Sequence, residues 1–543
     1  MKEIEDFRLF DVYDEVDKPV KENILGTQWV ITEKDAEKGK PIVRKARLCI
    51  LGNHEKNTEC IAKESPTVAK SSIRLLLLEA ARHPDWFIRV SDVTRAFLQT
   101  AEIGREVYVR PPKEAGVKDG RVWKLKRPVY GLADASRGFY INQSTKLVEF
   151  GMEVCKVDPA LFFYHGDGSS DGDQCREISG IVATHVDDSL TAGDSQFRND
   201  VEGPMTENFE YGSHEDLPFR YVGMNMIRGE EGIILDQDHY VEKLEMPDIS
   251  SLAKLRKEDL LPDQSSFRSA VAKLQMISIT SRPDLCYDVK MLSKMYGKAS
   301  KADFQQLVKL YMKVKTDTTK MAYSNLGDFE NWVILLYADA SLKKMPDTVS
   351  SCGGWVILIV NRVTNKAAVM MWRSKQLKRV VHSSMGAEAL SFEEGLGELY
   401  QFRLVLRQMY GRQADKIPAI GLIDCQDLYD SIHNLKPVED KRIMGTIIEI
   451  KQAIIMDDIL QELRLVEKNL QLADDLTKPG MKCQDLMNVL QTGTHVIPGG
   501  SSIKKNENIH AKTWIQLNEK RDVNKRITVG SSVICESQDL ASI

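Results

Sequence analysis

Short apolar runs that end at or just before an aspartate recur along the chain. The runs are rich in β-branched and other apolar residues, which is typical of buried strands. They are residues 87–90 before Asp92, residues 178–183 before Asp187 and Asp188, residues 332–336 before Asp339, and residues 420–423 before Asp424. A buried carboxylate must be compensated, because removing a negative charge from water is costly. The pattern therefore predicts acidic sites where these strands end.

Between these runs the periodicity is that of amphipathic helices. Helices are predicted over residues 73–82, 137–150 and 196–209, and over most of residues 239–325. A new pattern begins near Asn331, with three strands, a long helix, a strand and a second helix. The long helix begins at the Ser383–Ser384 cap and ends at Gly411. The order of these elements predicts a separate α/β domain in the second half.

Composition limits the possible classes of protein. A chain of 543 residues predicts three or four domains. The net charge of −5 gives no global basic field, so a site for a polyanion must be local. The nine cysteines form no CxxC pair, which argues against a zinc site or a disulfide framework. The N-terminus has no signal-peptide pattern, and the apolar runs are too short to span a bilayer. We therefore expect a soluble protein.

The paired carboxylates Asp187 and Asp188 lie between two predicted strands, at the point where the chain must reverse. Two adjacent like charges in an apolar hairpin repel each other, and a divalent cation would compensate them. The alternative is an Asp-Asp turn in solvent. Asp92 also has two interpretations, because it follows a strand and precedes a helix-like stretch, so it is either a metal-binding carboxylate or a helix N-cap.

Four acids of the second half are predicted to converge: Asp339, Glu388, Asp424 and Asp474. Two of them end core strands, and Glu388 lies in the first turns of the covering helix. Oxygen ligands of this kind hold hard divalent cations, usually Mg²⁺, and two such ions can support phosphodiester hydrolysis. Each acid taken singly could instead be a cap or a solvated turn. Asp475 is an alternative to Asp474.

The order of several motifs resembles the reverse transcriptase and ribonuclease H portion of copia-type long-terminal-repeat retrotransposon Pol polyproteins. The N-terminal motifs are QWVITEKDAEKGKPIVRKARLCILG, SPTVAKSSIRLLLLEAA, VSDVTRAFLQTAEIGREVYVRPP, VWKLKRPVYGLADASRGFY and THVDDSLTAGD. The later motifs are FRSAVAKLQMISITSRPDLCYDVKMLSK, YADASL, MMWRSKQ, HSSMGAEAL, LIDCQ and LADDLTKPG. The resemblance covers roughly residues 25–480. It rests on the ordered run of motifs, since none of them is decisive alone.

The resemblance implies a multidomain protein of α+β and α/β type, with a right-hand polymerase followed by a ribonuclease H-like domain. The expected divisions are a charged segment at 1–24, fingers and palm at 25–245, a helical thumb or connection at 246–328, the ribonuclease H-like domain at 329–480, and a polar, disordered tail at 481–543. The expected place is the cytoplasm, in a virus-like particle, or the nucleus.

The resemblance also implies roles for individual residues. Asp92, Asp187 and Asp188 match the metal-binding triad of the polymerase, and Asp339, Glu388, Asp424 and Asp474 match the nuclease tetrad. Each site is expected to use two Mg²⁺ ions, with Mn²⁺ as a substitute. Phe97 matches the residue that excludes a 2′-hydroxyl. The other expected nucleotide-binding residues are Lys45, Arg47, Tyr130, Gly131 and Arg137. The expected partners are an RNA template, a DNA primer, an RNA–DNA hybrid and deoxynucleoside triphosphates.

Two departures from the family pattern bear on activity. His185 stands where the family has Tyr, and Asp134 adds a negative charge in the block where the family has Gln. An extra carboxylate facing a triphosphate predicts weaker nucleotide binding. Zinc-knuckle, protease and integrase motifs are not found, which suggests a fragment of an element or a remnant host gene. The alternatives are therefore a degenerate copy that binds nucleic acid without catalysis, and an unrelated phosphate-handling hydrolase.

Overall fold

A computed structural model describes residues 2–34, 43–166, 176–248, 252–342, 351–433, 440–478 and 484–504. Within these ranges the strands form five sheets, so the chain is a mixed α/β protein of several parts. None of the helices within the same ranges is long and apolar enough to cross a membrane.

The N-terminal part contains a four-stranded sheet in the order β1-β7-β6-β2, together with the β3-β4 hairpin. This part of the chain contains α1 (Lys2–Leu9), β1 (Tyr13–Asp17), β2 (Ile24–Leu25), β3 (Thr27–Lys34), β4 (Val43–Ile50), α2 (Lys70–Arg82), β5 (Phe87–Val93), β6 (Tyr108–Val109), β7 (Arg121–Leu125) and α3 (Ala135–Glu149). Strand β5 belongs to the central sheet. Apolar side chains of β4 and β7 form one core with those of α1.

The prediction of a separate charged segment at 1–24 is wrong. Strand β1 pairs with β7 along its whole length. Helix α1 buries Ile4 and Phe7 in the same core as Leu48 and Ile50 of β4. The acidic residues of this segment dominate its composition, but its few apolar positions face the sheet and decide where it lies.

The central sheet is antiparallel and has the order β12-β5-β11-β10-β9-β8. Its remaining elements are β8 (Glu153–Val154), β9 (Leu161–Tyr164), β10 (Gly180–His185), β11 (Asp188–Gly193), α4 (Ser195–Phe197), α5 (Gly203–Asn208) and β12 (Tyr211–Asp216). Strands β9, β10 and β11 are almost entirely buried, because apolar side chains cover both faces of the sheet. This explains why their sequences are continuous apolar runs rather than alternating ones.

A second four-stranded sheet follows, in the order β13-β14-β15-β16. Its part of the chain contains β13 (Phe219–Tyr221), β14 (Met224–Arg228), β15 (Gly232–Asp236), α6 (Asp238–Glu242), α7 (Gln264–Thr280), α8 (Cys286–Ser293), α9 (Lys301–Thr316) and β16 (Met321–Ser324). The four helices α6–α9 have their own hydrophobic core. Along the chain they come between β15 and β16, two strands that pair with each other. The predicted helical segment at 246–328 is therefore helical over most of its length, but it ends in a strand that belongs to the preceding sheet.

The C-terminal part has a six-stranded sheet in the order β19-β18-β17-β20-β21-β22. Strands β17, β20 and β21 are parallel, and the other neighbours are antiparallel. The elements are β17 (Trp332–Ser341), β18 (Cys352–Asn361), β19 (Ala367–Gln376), α10 (Ser384–Tyr410), β20 (Ala419–Ile423), α11 (Gln426–His433), α12 (Met444–Ile455), β21 (Glu462–Leu465), α13 (Gln484–Thr492) and β22 (Ser501–Lys504).

The prediction of a disordered tail is wrong for residues 484–504. Helix α13 buries Leu486, Val489 and Leu490, and β22 pairs with β21 at the edge of the C-terminal sheet. The short apolar stripe of α13 is diluted by polar neighbours in the sequence, so composition alone hides it. The rest of the predicted tail, residues 481–483 and 505–543, lies outside the described residues.

The central and C-terminal parts share one continuous hydrophobic core. Helix α2 of the N-terminal half supplies polar anchors that are buried in the contact. The Arg74 guanidinium donates to the Met370 carbonyl of β19 at 2.8 Å, and the Tyr410 hydroxyl donates to Glu79 Oε2 at 2.6 Å. Arg74 and Glu79 are almost fully buried, so separating the two parts would break hydrogen bonds of charged groups that are shielded from solvent. The two parts are thus packed as one body.

Candidate active sites

The tip of the β10-β11 hairpin carries the paired carboxylates. His185 pairs with Asp188, so Val186 and Asp187 form a two-residue turn. Val186 has a φ of 60°, in the left-handed region that β-branched residues rarely adopt. The backbone N–H of Val93 donates to the Asp187 carbonyl at 3.0 Å and ties the turn to β5. The hairpin predicted from the sequence is confirmed, and its tip is held by neighbouring backbone.

Asp92 lies within β5 and is directly opposite Asp188 on β11. The interpretation of Asp92 as a helix N-cap is therefore wrong, since β5 continues to Val93. Directly opposed residues of antiparallel strands have Cβ atoms only about 4.5–5.5 Å apart. Burial, together with the charges of Asp187 and Asp92, raises the pKa of Asp188 to about 6. The three carboxylates thus form one electrostatically coupled group.

A pocket wall of aromatic and basic side chains adjoins this group. The rings of Phe97 and Tyr130 have centroids 4.9 Å apart, and the Arg47 guanidinium lies 5.5 Å from the Tyr130 ring centroid. Burial raises the pKa of Tyr130, and Asp187 and Asp92 contribute to the increase. Arg47 Nε is buried and has no hydrogen-bond partner. A guanidinium held in this way can bind an anionic group. The same anionic group can approach the three neighbouring carboxylates through a cation that they hold.

Gly131 explains how the wall is assembled. It has a φ of 99°, and a Cβ added there would lie 2.0 Å from the Ile50 carbonyl oxygen. The N–H of Ile50 donates to the Tyr130 carbonyl at 2.8 Å. Only glycine allows the backbone to pass this close. Strand β4 therefore ends against residues 130–131, which places Arg47 beside Tyr130.

The other two predicted nucleotide-binding cations lie differently. Lys45 is exposed on β4, two residues from Arg47 and on the same face of the strand. Arg137 Nη1 donates to the Glu64 carbonyl at 3.1 Å and so fixes the segment before α2. The structure thus brings Arg47, Phe97, Tyr130 and Gly131 together. It gives Arg137 a structural contact of its own.

Asp134 does not present a free negative charge. Arg105 Nη1 donates to Asp134 Oδ2 at 2.5 Å, and Arg105 Nε donates to Glu55 Oε1 at 3.0 Å. The guanidinium thus bridges both carboxylates, and all three groups are mostly shielded from solvent. This pairing could not be predicted from the sequence, because Glu55, Arg105 and Asp134 are far apart in the chain. The expectation that Asp134 opposes a triphosphate therefore loses its basis.

A second acidic group lies in the C-terminal part. Asp339, Glu388 and Asp424 each offer a carboxylate oxygen, and these atoms all lie within 4.8 Å of one another. Asp339 is inside β17, which extends to Ser341 rather than ending at the aspartate as predicted. Asp424 follows β20, the parallel neighbour of β17. Glu388 is in α10, whose start is fixed by the Ser383 cap. The predicted convergence is confirmed for these three residues.

Burial makes this group costly without a cation. The residues Asp339 and Glu388 are 2% and 6% exposed. Burial, together with the charges of Asp339 and Asp424, raises the pKa of Glu388 to about 10. Glu388 Oε2 is buried without a hydrogen-bond partner. Three converging oxygen donors, one of them unpartnered, fit a hard divalent cation such as Mg²⁺.

Asp474, the fourth predicted acid, is not part of this close group. Its carboxylate forms an ion pair with Lys478 one helical turn later. Lys478 Nζ also lies 3.8 Å from Asp339 Oδ2, and the Thr477 hydroxyl donates to the same oxygen. Sequence reasoning missed Lys478 and Thr477. The i,i+4 spacing of Asp474 and Lys478 was the signal that could have indicated the ion pair.

The chain is similar in sequence to known proteins. Residues 10–250 match the family described as reverse transcriptase (RNA-dependent DNA polymerase). The retrovirus-related Pol polyproteins from transposons RE2 and RE1 of Arabidopsis thaliana are 27% and 26% identical over 481 residues. Each match covers 85% of this chain and 31% of the relative, so the chain spans about a third of these relatives. The foamy viral protease-reverse transcriptase dRH in complex with double-stranded DNA has 10% identity and a TM-score of 0.46, covering 82% of this chain and 66% of that one.

Residues 10–250 therefore belong to the reverse transcriptase family. The chain corresponds to the reverse transcriptase region of copia-type retrotransposon Pol polyproteins, which confirms the resemblance seen in the sequence motifs.

Proposed function

We propose that the chain is an RNA-directed DNA polymerase that also cleaves the RNA strand of RNA–DNA hybrids. In this proposal the central sheet is the palm of a right-hand polymerase. The N-terminal sheet and the β3-β4 hairpin are the fingers, α6–α9 are the thumb or connection, and the C-terminal part is the ribonuclease H-like domain. The observation that carries the proposal is the pairing of Asp92 with Asp188 at the tip of the hairpin, beside the wall formed by Arg47 and Tyr130.

For polymerisation, Asp92, Asp187 and Asp188 would hold Mg²⁺. The bound cations would lower the pKa of the primer 3′-hydroxyl and offset charge on the triphosphate. Arg47 would donate its unpartnered Nε–H to a phosphate oxygen, and Lys45 would add positive charge at the entrance. Phe97, packed against Tyr130, would lie under the sugar and exclude a 2′-hydroxyl. The substrates would be deoxynucleoside triphosphates, an RNA template and a DNA primer.

For cleavage of the hybrid, Asp339, Glu388 and Asp424 would hold a divalent cation that activates water toward the RNA phosphodiester. The position of Asp424 after β20 and of Glu388 in α10 fixes these ligands on the core of the domain. The ion pair with Lys478 keeps Asp474 from converging with the other three acids. Binding of a second cation would therefore require Asp474 to leave Lys478.

Primer extension on an RNA template in the presence of Mg²⁺ tests the polymerase assignment. Wild-type protein should extend the primer, and Asp187→Asn and Asp188→Asn should each abolish extension. The matched control is Asp119→Asn, which removes an exposed carboxylate outside the site and should leave extension unchanged. Extension that survives both active-site substitutions would refute the proposal.

A second candidate is a degenerate copy that binds nucleic acid without catalysis. Two observations favour it, the presence of His185 beside the paired aspartates and the ion pair that neutralises Asp474. It predicts salt-sensitive binding of a template-primer with no nucleotide incorporation. Measurable incorporation that depends on Asp188 would exclude it. His185→Tyr separates the two candidates further, because it should restore extension only if the histidine is the cause of inactivity.

A further inference from the structure

A cavity of about 690 Å³ lies where helix α2, helix α8 and the edge strand β19 meet. None of the seven acids of the two candidate active sites lines it. Its wall carries six basic side chains and one acidic side chain, Glu398. The six basic residues are Lys70, Arg74, Lys290, Lys294, Arg373 and Lys375. Its volume is in the range of small-molecule sites, which is about 300–1,000 Å³.

Four of these cations have no carboxylate partner within the described part of the chain. Arg373 and Lys375 form ion pairs with Glu398 and Glu394. Arg74, in contrast, is buried and donates only to carbonyl oxygens. Lys290 Nζ contacts Cys352 Sγ at 2.9 Å. Lys70 and Lys294 have no hydrogen bond or ion pair, and so face the cavity as uncompensated charges.

The arrangement on the helices concentrates this charge. Lys70 and Arg74 are four residues apart on α2, and Lys290 of α8 is four residues before Lys294, the C-cap residue of the same helix. Like charges at this spacing repel each other. Burial, together with the charge of Arg74, lowers the pKa of Lys70 to about 8. Burial likewise lowers the pKa of Lys290. Partly buried cations that repel one another are unfavourable unless an anion binds between them.

We propose that this cavity is a binding site for clustered phosphates, formed by Lys70 and Arg74 of α2 facing Lys290 and Lys294 of α8. The ligand is a chain of phosphate groups, either the backbone of a nucleic acid or a free polyphosphate. Ser374 forms the wall toward the C-terminal acids, where its hydroxyl donates to the Leu476 carbonyl at 2.6 Å. A nucleic acid bound here would therefore pass beside the cluster of Asp339 without entering it. The site does not depend on the proposed polymerase activity.

Isothermal titration calorimetry with inorganic tripolyphosphate, in EDTA, tests the site. EDTA removes metal-dependent binding at the acidic sites. The double variant Lys70→Gln/Lys294→Gln should bind tripolyphosphate at least tenfold more weakly than the wild type. Lys309→Gln, which removes an exposed lysine of α9 outside the cavity, should bind as the wild type does. The same tenfold loss should appear when Lys70→Gln/Lys294→Gln is compared in an Arg47→Gln background, where the proposed nucleotide pocket has lost its phosphate donor, so that failure here is distinct from failure of that pocket.

Two further measurements keep the result decisive. Lys294→Gln alone, at the half-exposed rim, should weaken binding by a smaller factor, and it serves if the double variant does not fold. An RNA–DNA hybrid that displaces tripolyphosphate from both the wild type and Arg47→Gln would identify a nucleic-acid backbone as the ligand. If the hybrid leaves tripolyphosphate bound, the ligand of the cavity is a free polyphosphate. Equal affinities in the wild type and a folded Lys70→Gln/Lys294→Gln variant would overturn the proposal.

Discussion

The two acidic groups of this protein are built from similar residues but in different surroundings. Asp187 and Asp188 lie at the tip of a hairpin, are partly exposed, and depend on a turn strained at Val186. Asp339 and Glu388 lie inside a core strand and near the start of a 27-residue helix, and both are buried. In the hairpin group the pKa of Asp188 is raised to about 6, and in the buried group the pKa of Glu388 is raised to about 10.

The difference indicates how each group would meet its cations. The buried cluster already has converging oxygens and an unpartnered Glu388 Oε2, so it fits a cation with little rearrangement. At the hairpin the carboxylates remain hydrated, and Arg47 and Tyr130 close the other side of the pocket. The hairpin site would be completed by its substrate, because the triphosphate supplies further oxygen ligands. Under the proposed function, the comparison predicts that the C-terminal acidic group is preformed for its cation, whereas the hairpin group is assembled with its substrate.

The largest expected effect separates the two activities. Asp339→Asn should lower hybrid-RNA cleavage at least about 10²-fold, the size seen when one electrostatic group of a reaction site is removed. Primer extension should stay within about twofold of the wild type, because Asp339 belongs to the other carboxylate group. Both rates are measured on one hybrid substrate, with Asp119→Asn as the control. Equal loss of both activities in a folded variant would mean that the groups do not act independently.

A smaller effect concerns Lys478. Lys478→Met should raise the affinity of the C-terminal cluster for Mn²⁺ by about tenfold, which is about 1.4 kcal/mol. The reason is that Asp474 and Asp339 would lose the cation that now neutralises them. Electron paramagnetic resonance of free Mn²⁺ measures the binding without activity. Lys416→Met, an exposed lysine of the same domain, is the control, and an unchanged affinity in Lys478→Met would show that Lys478 does not compete.

Mg²⁺ should also stabilise the fold through the buried cluster. A cation at tenfold its dissociation constant adds about 1.4 kcal/mol, which for a protein of this size is about 1–3 °C in melting temperature. Glu388→Gln should reduce this increase. Because the folded-state pKa of Glu388 lies above its unfolded value, the folded protein holds the extra proton, and stability in EDTA should fall as pH rises from 7 to 9. Glu388→Gln should flatten that dependence, and an unchanged slope would contradict the assignment.

The smallest expected effect involves His495 in the segment after α13. His495 Nε2 lies 2.7 Å from the Tyr337 hydroxyl, and burial lowers the pKa of the imidazole to about 4. The unfolded chain therefore binds the proton first, so this contribution is present above pH 6.5 and is lost as pH falls toward 4. Thermal unfolding at pH 7 and 5 should show a smaller decrease in His495→Gln than in the wild type. The exposed His433→Gln is the control, and equal decreases in all three proteins would refute the effect.

Much of the fold followed from local pattern in the sequence. The apolar runs before Asp188 and Asp424 are strands, and the helix predicted from the Ser383–Ser384 cap to Gly411 is α10. Local pattern failed where a few apolar positions were diluted by polar ones, as in α13, and it missed the strand β1 that follows the N-terminal helix. These segments are held by long-range packing and pairing, which periodicity over a short window does not record.

The sequence by itself determined which carboxylates are available and that most of them lie in or directly after apolar strands, because strand and helix periods are local properties. Only the tertiary structure decided which of them meet. Parallel pairing of β17 and β20 brings Asp339 to Asp424, while Asp474 lies outside this close group and pairs with Lys478. Pairing of β5 and β11 places Asp92 opposite Asp188, and the Arg105 guanidinium pairs with the Asp134 carboxylate. The physical reason is that charges separated along the chain interact through distance in space, which only the packed fold defines.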